Sequence, residues 1–153
     1  MRTPAEQSTR FLALHHGTEP LLLPNPWDAG SAKVLATLGF SALATTSSGH
    51  AATLGRLEGG VTRDEAIGHA RVIVAATELP VSADLEDAFA REPEGVAETI
   101  ALAIDAGLAG GSVEDFTRDE VDPIYDLGLA VERVTAAAEA AHGGPSRFVL
   151  TAR

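Results

Sequence analysis

Five short apolar stretches alternate with five helix-length stretches, and this alternation limits the available folds more than any other feature of the chain. The apolar stretches fall at residues 21–23, 42–46, 80–85, 109–113 and 148–151. Helix signals lie before and between them. Thr3, Pro4 and Glu6 combine a capping box with a proline at the first helical position, and Gly17 supplies a stop. Asp28 caps a segment through Ala32, Leu35 and Leu38 that ends at Gly39. Thr62 and Glu65 form a second capping box, behind which Ala66, Ile67, Ala70, Ile73 and Val74 share one helical face. Pro93 opens a helix with Val96, Ile100, Ala103 and Ile104 inward and Gly107 as its end. Pro123 leads into an alanine-rich helix through Leu127, Val131, Val134 and Ala138, closed by Gly143, Gly144 and Pro145. Strands alternating with crossover-length helices specify a parallel sheet of right-handed βαβ units. The expected architecture is α/β, with five parallel strands and an N-terminal helix, in a single domain spanning residues 1–153 with no linker or internal repeat.

Composition narrows the function. The 153 residues suffice for a sizeable core, and the hydrophobic fraction of 45% is ordinary for a soluble globular chain. The 22 acidic residues against 11 basic ones give a formal charge of −11. That balance speaks against a nucleic-acid surface and against an anionic membrane. The absence of cysteine excludes disulfides, thiolate zinc sites and a cysteine nucleophile. No apolar signal region or bilayer-length run is present, so a cytoplasmic location is the expectation.

The chemistry gathers where the apolar stretches end. Residues 80–87 begin as an apolar run and finish with Asp84, Glu86 and Asp87. Unpaired carboxylates are costly to bury, so they belong where a strand opens into a loop, the end that carries function in α/β folds. Asp84 and Glu86 share a side if the strand reaches that far, and two hard oxygens facing one way suit Mg²⁺. A solvated acidic loop is an equal alternative from spacing alone. Ser47, Ser48, Gly49 and His50 offer hydroxyls and backbone N–H groups to an anion, or form a plain turn. Polar groups end each strand in succession: Asp28, then Ser47 and Ser48, then Asp84 and Glu86, then Glu114, then Arg153. In a closing barrel they converge on one rim.

Taken together, Asn25-Pro26-Trp27-Asp28-Ala29-Gly30-Ser31-Ala32, Thr45-Thr46-Ser47-Ser48-Gly49, Thr62-Arg63-Asp64-Glu65, Ser82-Ala83-Asp84-Leu85-Glu86 and Val113-Glu114-Asp115 resemble the isocitrate lyase/phosphoenolpyruvate mutase superfamily. The resemblance runs along nearly the whole chain. It implies a TIM (β/α)₈ barrel that binds Mg²⁺ and a small α-oxycarboxylate and makes or breaks C–C or C–P bonds through enolate-like intermediates. It implies that Asp84 is the direct Mg²⁺ ligand and that Glu58, Glu86 and Glu114 hold the metal through its waters. Thr46, Ser47 and Ser48 match the loop that grips the substrate carboxylate. Arg153 matches the substrate-binding, catalytic arginine after the fifth strand.

Three departures qualify the resemblance. Lyase members carry a Lys-Lys-Cys-Gly-His segment where this chain reads Phe116-Thr117-Arg118-Asp119-Glu120-Val121-Asp122, and Lys33 is its only lysine. The usual lyase acid/base is missing, which argues against cleavage of isocitrate or methylisocitrate. Ala88-Phe89-Ala90 stands where members often have Gly-Tyr-Gly. Finally, an intact barrel takes about 250 residues. The chain therefore reads as the N-terminal portion of a truncated barrel. Alone it is expected to be inactive and either to self-associate through sheet edges at 21–23 and 148–151 or to form a loosely packed monomer; an intact parent is expected to be a homo-oligomer. The competing reading is a complete five-stranded flavodoxin-like binding or receiver domain. Strand order separates them: sequential for a barrel, 2-1-3-4-5 for a doubly wound sheet.

Overall fold

The structure is a computed structural model describing residues 3–153. Its elements run α1 (Pro4–His15), α2 (Ala29–Thr37), β1 (Leu43–Ala44), α3 (Ser47–Thr53), α4 (Arg63–Ala76), β2 (Val81–Asp84), α5 (Pro93–Asp105), β3 (Gly110–Val113), α6 (Leu127–His142) and β4 (Val149–Ala152). The four strands form one parallel sheet in the order β1-β2-β3-β4. This sequential order is that of a barrel arc and not of a doubly wound sheet. No helix among the described residues is long and apolar enough to cross a membrane.

The sheet has four strands where five were expected. Residues 21–23 run beside β1 without forming a ladder. Pro20, Pro24 and Pro26 have no N–H to donate, which confines such a segment to an edge. The backbone contact that remains is Ala44 N–H to the Pro24 carbonyl, at 3.1 Å. The Asn25 side-chain amide donates to the Ala44 carbonyl at 2.9 Å and so takes a place a ladder bond would have held. Two further boundaries differ. Residues 47–50 are the first turn of α3, capped by Thr46, rather than a loop. The last helix starts at Leu127, behind the cap of Asp126, and not at Pro123.

Alternation along β2 separates core from site. Val81, Ala83 and Leu85 are buried in the main core with Ile67, Ile73, Val96 and Ile100 of the flanking helices. Ser82 and Asp84, half-buried, take the opposite face. Phe11 of α1 packs with Ala42 and Ala109, just ahead of β1 and β3, and closes the N-terminal end of the sheet. The C-terminal ends stay open.

Both expected capping boxes form, and Ser31 completes a third with Asp28. At the head of α4, the Thr62 N–H, the Thr62 hydroxyl and Arg56 all donate to the Glu65 carboxylate. The Thr62 backbone bond, and after it Arg56, holds the Glu65 pKa down at about 2. A depressed carboxyl adds stability above its unfolded pKa, and that stability is lost as pH falls through the folded value. Urea midpoints measured from pH 5 to pH 2 are therefore expected to fall less steeply in Glu65→Gln than in the wild type. Parallel acid limbs would mean that the ionisation of Glu65 contributes nothing to the fold.

Candidate metal and carboxylate site

Asp84 ends β2, and its carboxylate is fixed from two sides. The Ser47 hydroxyl and backbone N–H donate to Oδ2 at 2.9 and 3.2 Å, and the Glu86 N–H donates to Oδ1 at 3.1 Å. The Asp84 N–H donates to the Thr45 hydroxyl at 3.0 Å, tying the strand end to the end of β1. Ser47 can reach Asp84 because Thr46 caps α3, its hydroxyl accepting from Gly49 N–H at 3.3 Å. That cap turns the first N–H groups of α3 toward β2. The Ser47 hydroxyl also meets Glu58 Oε1 at 3.1 Å. Ser48 is exposed on the same turn.

Beyond Asp84 the chain leaves the sheet in an unusual way. Glu86, Ala88 and Phe89 all have left-handed φ, at 51°, 61° and 55°. Non-glycine residues in that region cost about 1–3 kcal/mol each and persist only where their surroundings over-determine them. The expected extension of the strand to Glu86 does not occur, so Glu86 does not share a strand face with Asp84. The left-handed turn instead lays Glu86 across the strand ends, its carbonyl accepting from Glu114 N–H at 2.8 Å. Arg118, itself at φ 65°, reaches back from the 114–126 loop to Glu86 at 2.7 Å and Asp87 at 3.0 Å. Arg153 pairs with Glu114 at 2.9 Å.

The structure therefore brings Ser47, Glu58, Asp84, Glu86 and Glu114 to the C-terminal rim of the sheet. Thr46 serves as a helix cap, and Arg153 contacts the rim through Glu114. A cleft of about 310 Å³ is lined by Glu58, Glu86, Asp87, Glu114, Phe116, Arg118 and Glu120 among others. Negative charge is in excess there. Burial pushes the Glu86 carboxyl above the ordinary range, against the pull of Arg118 and with the help of Asp84, Asp87 and Glu58. Burial likewise raises Glu114, against Arg153 and with Asp84, Glu58 and Asp87.

Half-buried carboxylates that repel one another are the donor set a hard divalent cation neutralises. Among the described residues no three His, Asp or Glu side chains crowd onto one point for direct chelation. Mg²⁺ does not require that, since it binds through one or two carboxylates and keeps several waters. The fixed Asp84 carboxylate, ringed by more distant acids, fits that habit.

Sequence reasoning assigned no individual role to Thr45, Asp87, Arg118, Tyr125 or Arg133. Arg118 carried the one visible signal, a single cation in an otherwise acidic loop. It missed too the pair behind α3, where His50 and His69 stack at 3.8 Å and His69 Nε2 bonds the Trp27 carbonyl at 2.8 Å.

The model of the phosphoenolpyruvate phosphomutase family matches residues 11–153. An uncharacterised protein of Mycobacterium tuberculosis is 33% identical over 130 residues, 82% of this chain and 46% of that protein. The chain thus spans about half the length of the curated relatives it matches. A Burkholderia cenocepacia J2315 protein classed provisionally as a lyase/mutase superposes with a TM-score of 0.96 at 49% identity, over 98% of this chain and 54% of that one. A 2,3-dimethylmalate lyase of the PEP mutase/isocitrate lyase superfamily superposes with a TM-score of 0.86 at 30% identity, over 100% of this chain and 54% of that one.

Proposed function

Since the chain belongs to the phosphoenolpyruvate phosphomutase family, within the PEP mutase/isocitrate lyase superfamily, we propose that its acidic rim holds Mg²⁺ and works on a small α-oxycarboxylate. The reaction makes or breaks a C–C or C–P bond through an enolate-like intermediate. One observation carries this reading: Asp84 is held in a fixed orientation by Ser47 and Glu86, with Glu58 and Glu114 nearby on the same rim. Asp84 would hold the metal directly, and Glu58, Glu86 and Glu114 would hold it through water. When bound, Mg²⁺ supplies positive charge where an enolate oxygen develops.

The chain's own groups do the rest. The first turn of α3 presents the exposed Ser48 to a substrate carboxylate, Ser47 ties that turn to Asp84 through its N–H and hydroxyl, and Thr46 caps it. Arg153, exposed beside Glu114, provides a guanidinium for the same class of anion. Arg118 neutralises Glu86 and Asp87 on the cleft side. No lysine or cysteine is available in the loop at 116–122 to protonate a leaving carbanion, so isocitrate and methylisocitrate are not the substrates. In this reading residues 1–153 form the N-terminal portion of a barrel domain about twice as long. The intact protein is cytoplasmic and homo-oligomeric, with no nucleic-acid or membrane partner.

Calorimetry with Mg²⁺, followed by proton and phosphorus NMR of the intact protein with small 2-oxo- and 2-hydroxycarboxylates and phosphonate analogues, tests the proposal. Mg²⁺ binding is expected, with turnover of at least one compound that stops on chelation. Isocitrate and methylisocitrate are expected to stay intact. No Mg²⁺ binding, or turnover unaffected by chelation, overturns the reading of the site.

A further inference from the structure

Arg133 is 1% exposed in the middle of α6, and among the described residues it has no carboxylate partner. A buried guanidinium is costly unless its donors are met. Here they are met by main chain from one short loop. Nη2 donates to the Asp87 carbonyl at 2.6 Å, and Nη1 donates to the Arg91 carbonyl at 2.7 Å and to the Ala90 carbonyl. The guanidinium lies 4.0 Å from the centre of the Tyr125 ring, whose hydroxyl points at Asp87 Oδ2 at 3.4 Å. From α5, buried Thr99 donates to the Ala88 carbonyl at 2.7 Å. The carbonyls of residues 87, 88, 90 and 91 are thus all held from the helix layer.

This loop is the one with left-handed Glu86, Ala88 and Phe89. Three residues of that kind do not hold such a conformation unaided. We infer that Arg133 is a positioning residue: it locks the 87–91 main chain and so sets where the Glu86 carboxylate stands over the cleft. Arg133 does not itself line the cleft, which it meets only through the Asp87 main chain, and it touches no group proposed to meet substrate. The consequence for metal binding rests on the Mg²⁺ reading above; the locking itself does not.

The test uses Arg133→Met and Arg133→Lys in the otherwise unchanged protein. Without metal, hydrogen exchange is followed in peptides covering 86–91 and, as a control, α4. Mg²⁺ and Ca²⁺ affinities are then measured by calorimetry. Arg133→Met is expected to lose protection at 86–91 by at least about tenfold while α4 keeps its own, as a local opening would. Mg²⁺ affinity is expected to fall about 10–100-fold, the usual effect of removing a group that orients a ligand. Ca²⁺ affinity is expected to fall less, because Ca²⁺ tolerates irregular geometry and Mg²⁺ does not. Arg133→Lys keeps the cation with fewer fixed donors and is expected to fall between the two.

Unchanged exchange at 86–91 in both variants overturns the inference, as does an equal loss for the two ions alongside a loss of protection in α4. If Arg133→Met does not fold, Arg133→Lys decides by the same criteria. A wild type that binds neither ion overturns the Mg²⁺ reading, and the exchange result still decides the role of Arg133.

Discussion

Asp84→Ala is expected to lower Mg²⁺ affinity by more than about 100-fold, beyond the 10–100-fold typical of losing a group behind a ligand. The size of the effect follows from how Asp84 is held. Both oxygens accept hydrogen bonds, from Ser47 and from the Glu86 N–H. The carboxylate is therefore oriented before any cation arrives, and that preorganisation is lost with it. Asp84→Asn keeps the shape and much of the hydrogen bonding, so it isolates the charge and is expected to show nearly the same loss. Ser47→Ala removes a donor and leaves the carboxylate, so its effect belongs in the 10–100-fold range. A second readout comes from electrostatics. Asp84 contributes to raising both Glu86 and Glu114. In Asp84→Asn both carboxyls are expected to titrate lower than in the metal-free wild type, by carbon-detected NMR. Equal Mg²⁺ affinity in wild type and Asp84→Ala would sink the assignment of Asp84 as ligand.

Local chemistry determined what could be read from the sequence. The capping boxes at Thr3 and Thr62 and the cap at Asp28 span three or four residues each, and all formed. Asp84 and Glu114 sit one step from the ends of apolar runs, so their place at the rim followed from the strand pattern alone. The failures came where a neighbour distant in sequence decides. Residues 21–23 look like a strand, yet the prolines around them deny β1 its ladder. The turn at 86–89 carries no glycine to announce left-handed backbone. Its conformation is imposed by Thr99 and Arg133, 11 and 46 positions away from the carbonyls they hold. Arg133 lies in an alanine-rich helix where a surface arginine would read identically. Arg118 is the lone cation of its loop, but its pairing with Glu86 and Asp87 could not be read from that, because a loop crossing has no period.

Beneath the rim the same principle works through size. Leu85 is 1% exposed, follows Asp84 directly, and packs beside Gly111 of β3. A Cβ placed on Gly111 would meet Leu85 Cδ1 at 2.9 Å and Phe148 Cζ at 2.9 Å. Gly111 therefore reflects the volume of its neighbours, its own φ being unexceptional. Leu85→Ala leaves a cavity under the acidic loop and is expected to cost about 2–5 kcal/mol in urea unfolding. Gly111→Ala overpacks the same spot and is expected to cost about 1–3 kcal/mol. The two residues share one space, so their effects should not add. The double variant is expected to be more stable than the sum of the singles by about 0.5–3 kcal/mol. The recovery is partial, because the contact with Phe148 persists. Strict additivity would show that Leu85 and Gly111 do not compete for volume, and that the packing beneath Asp84 is looser than the structure places it.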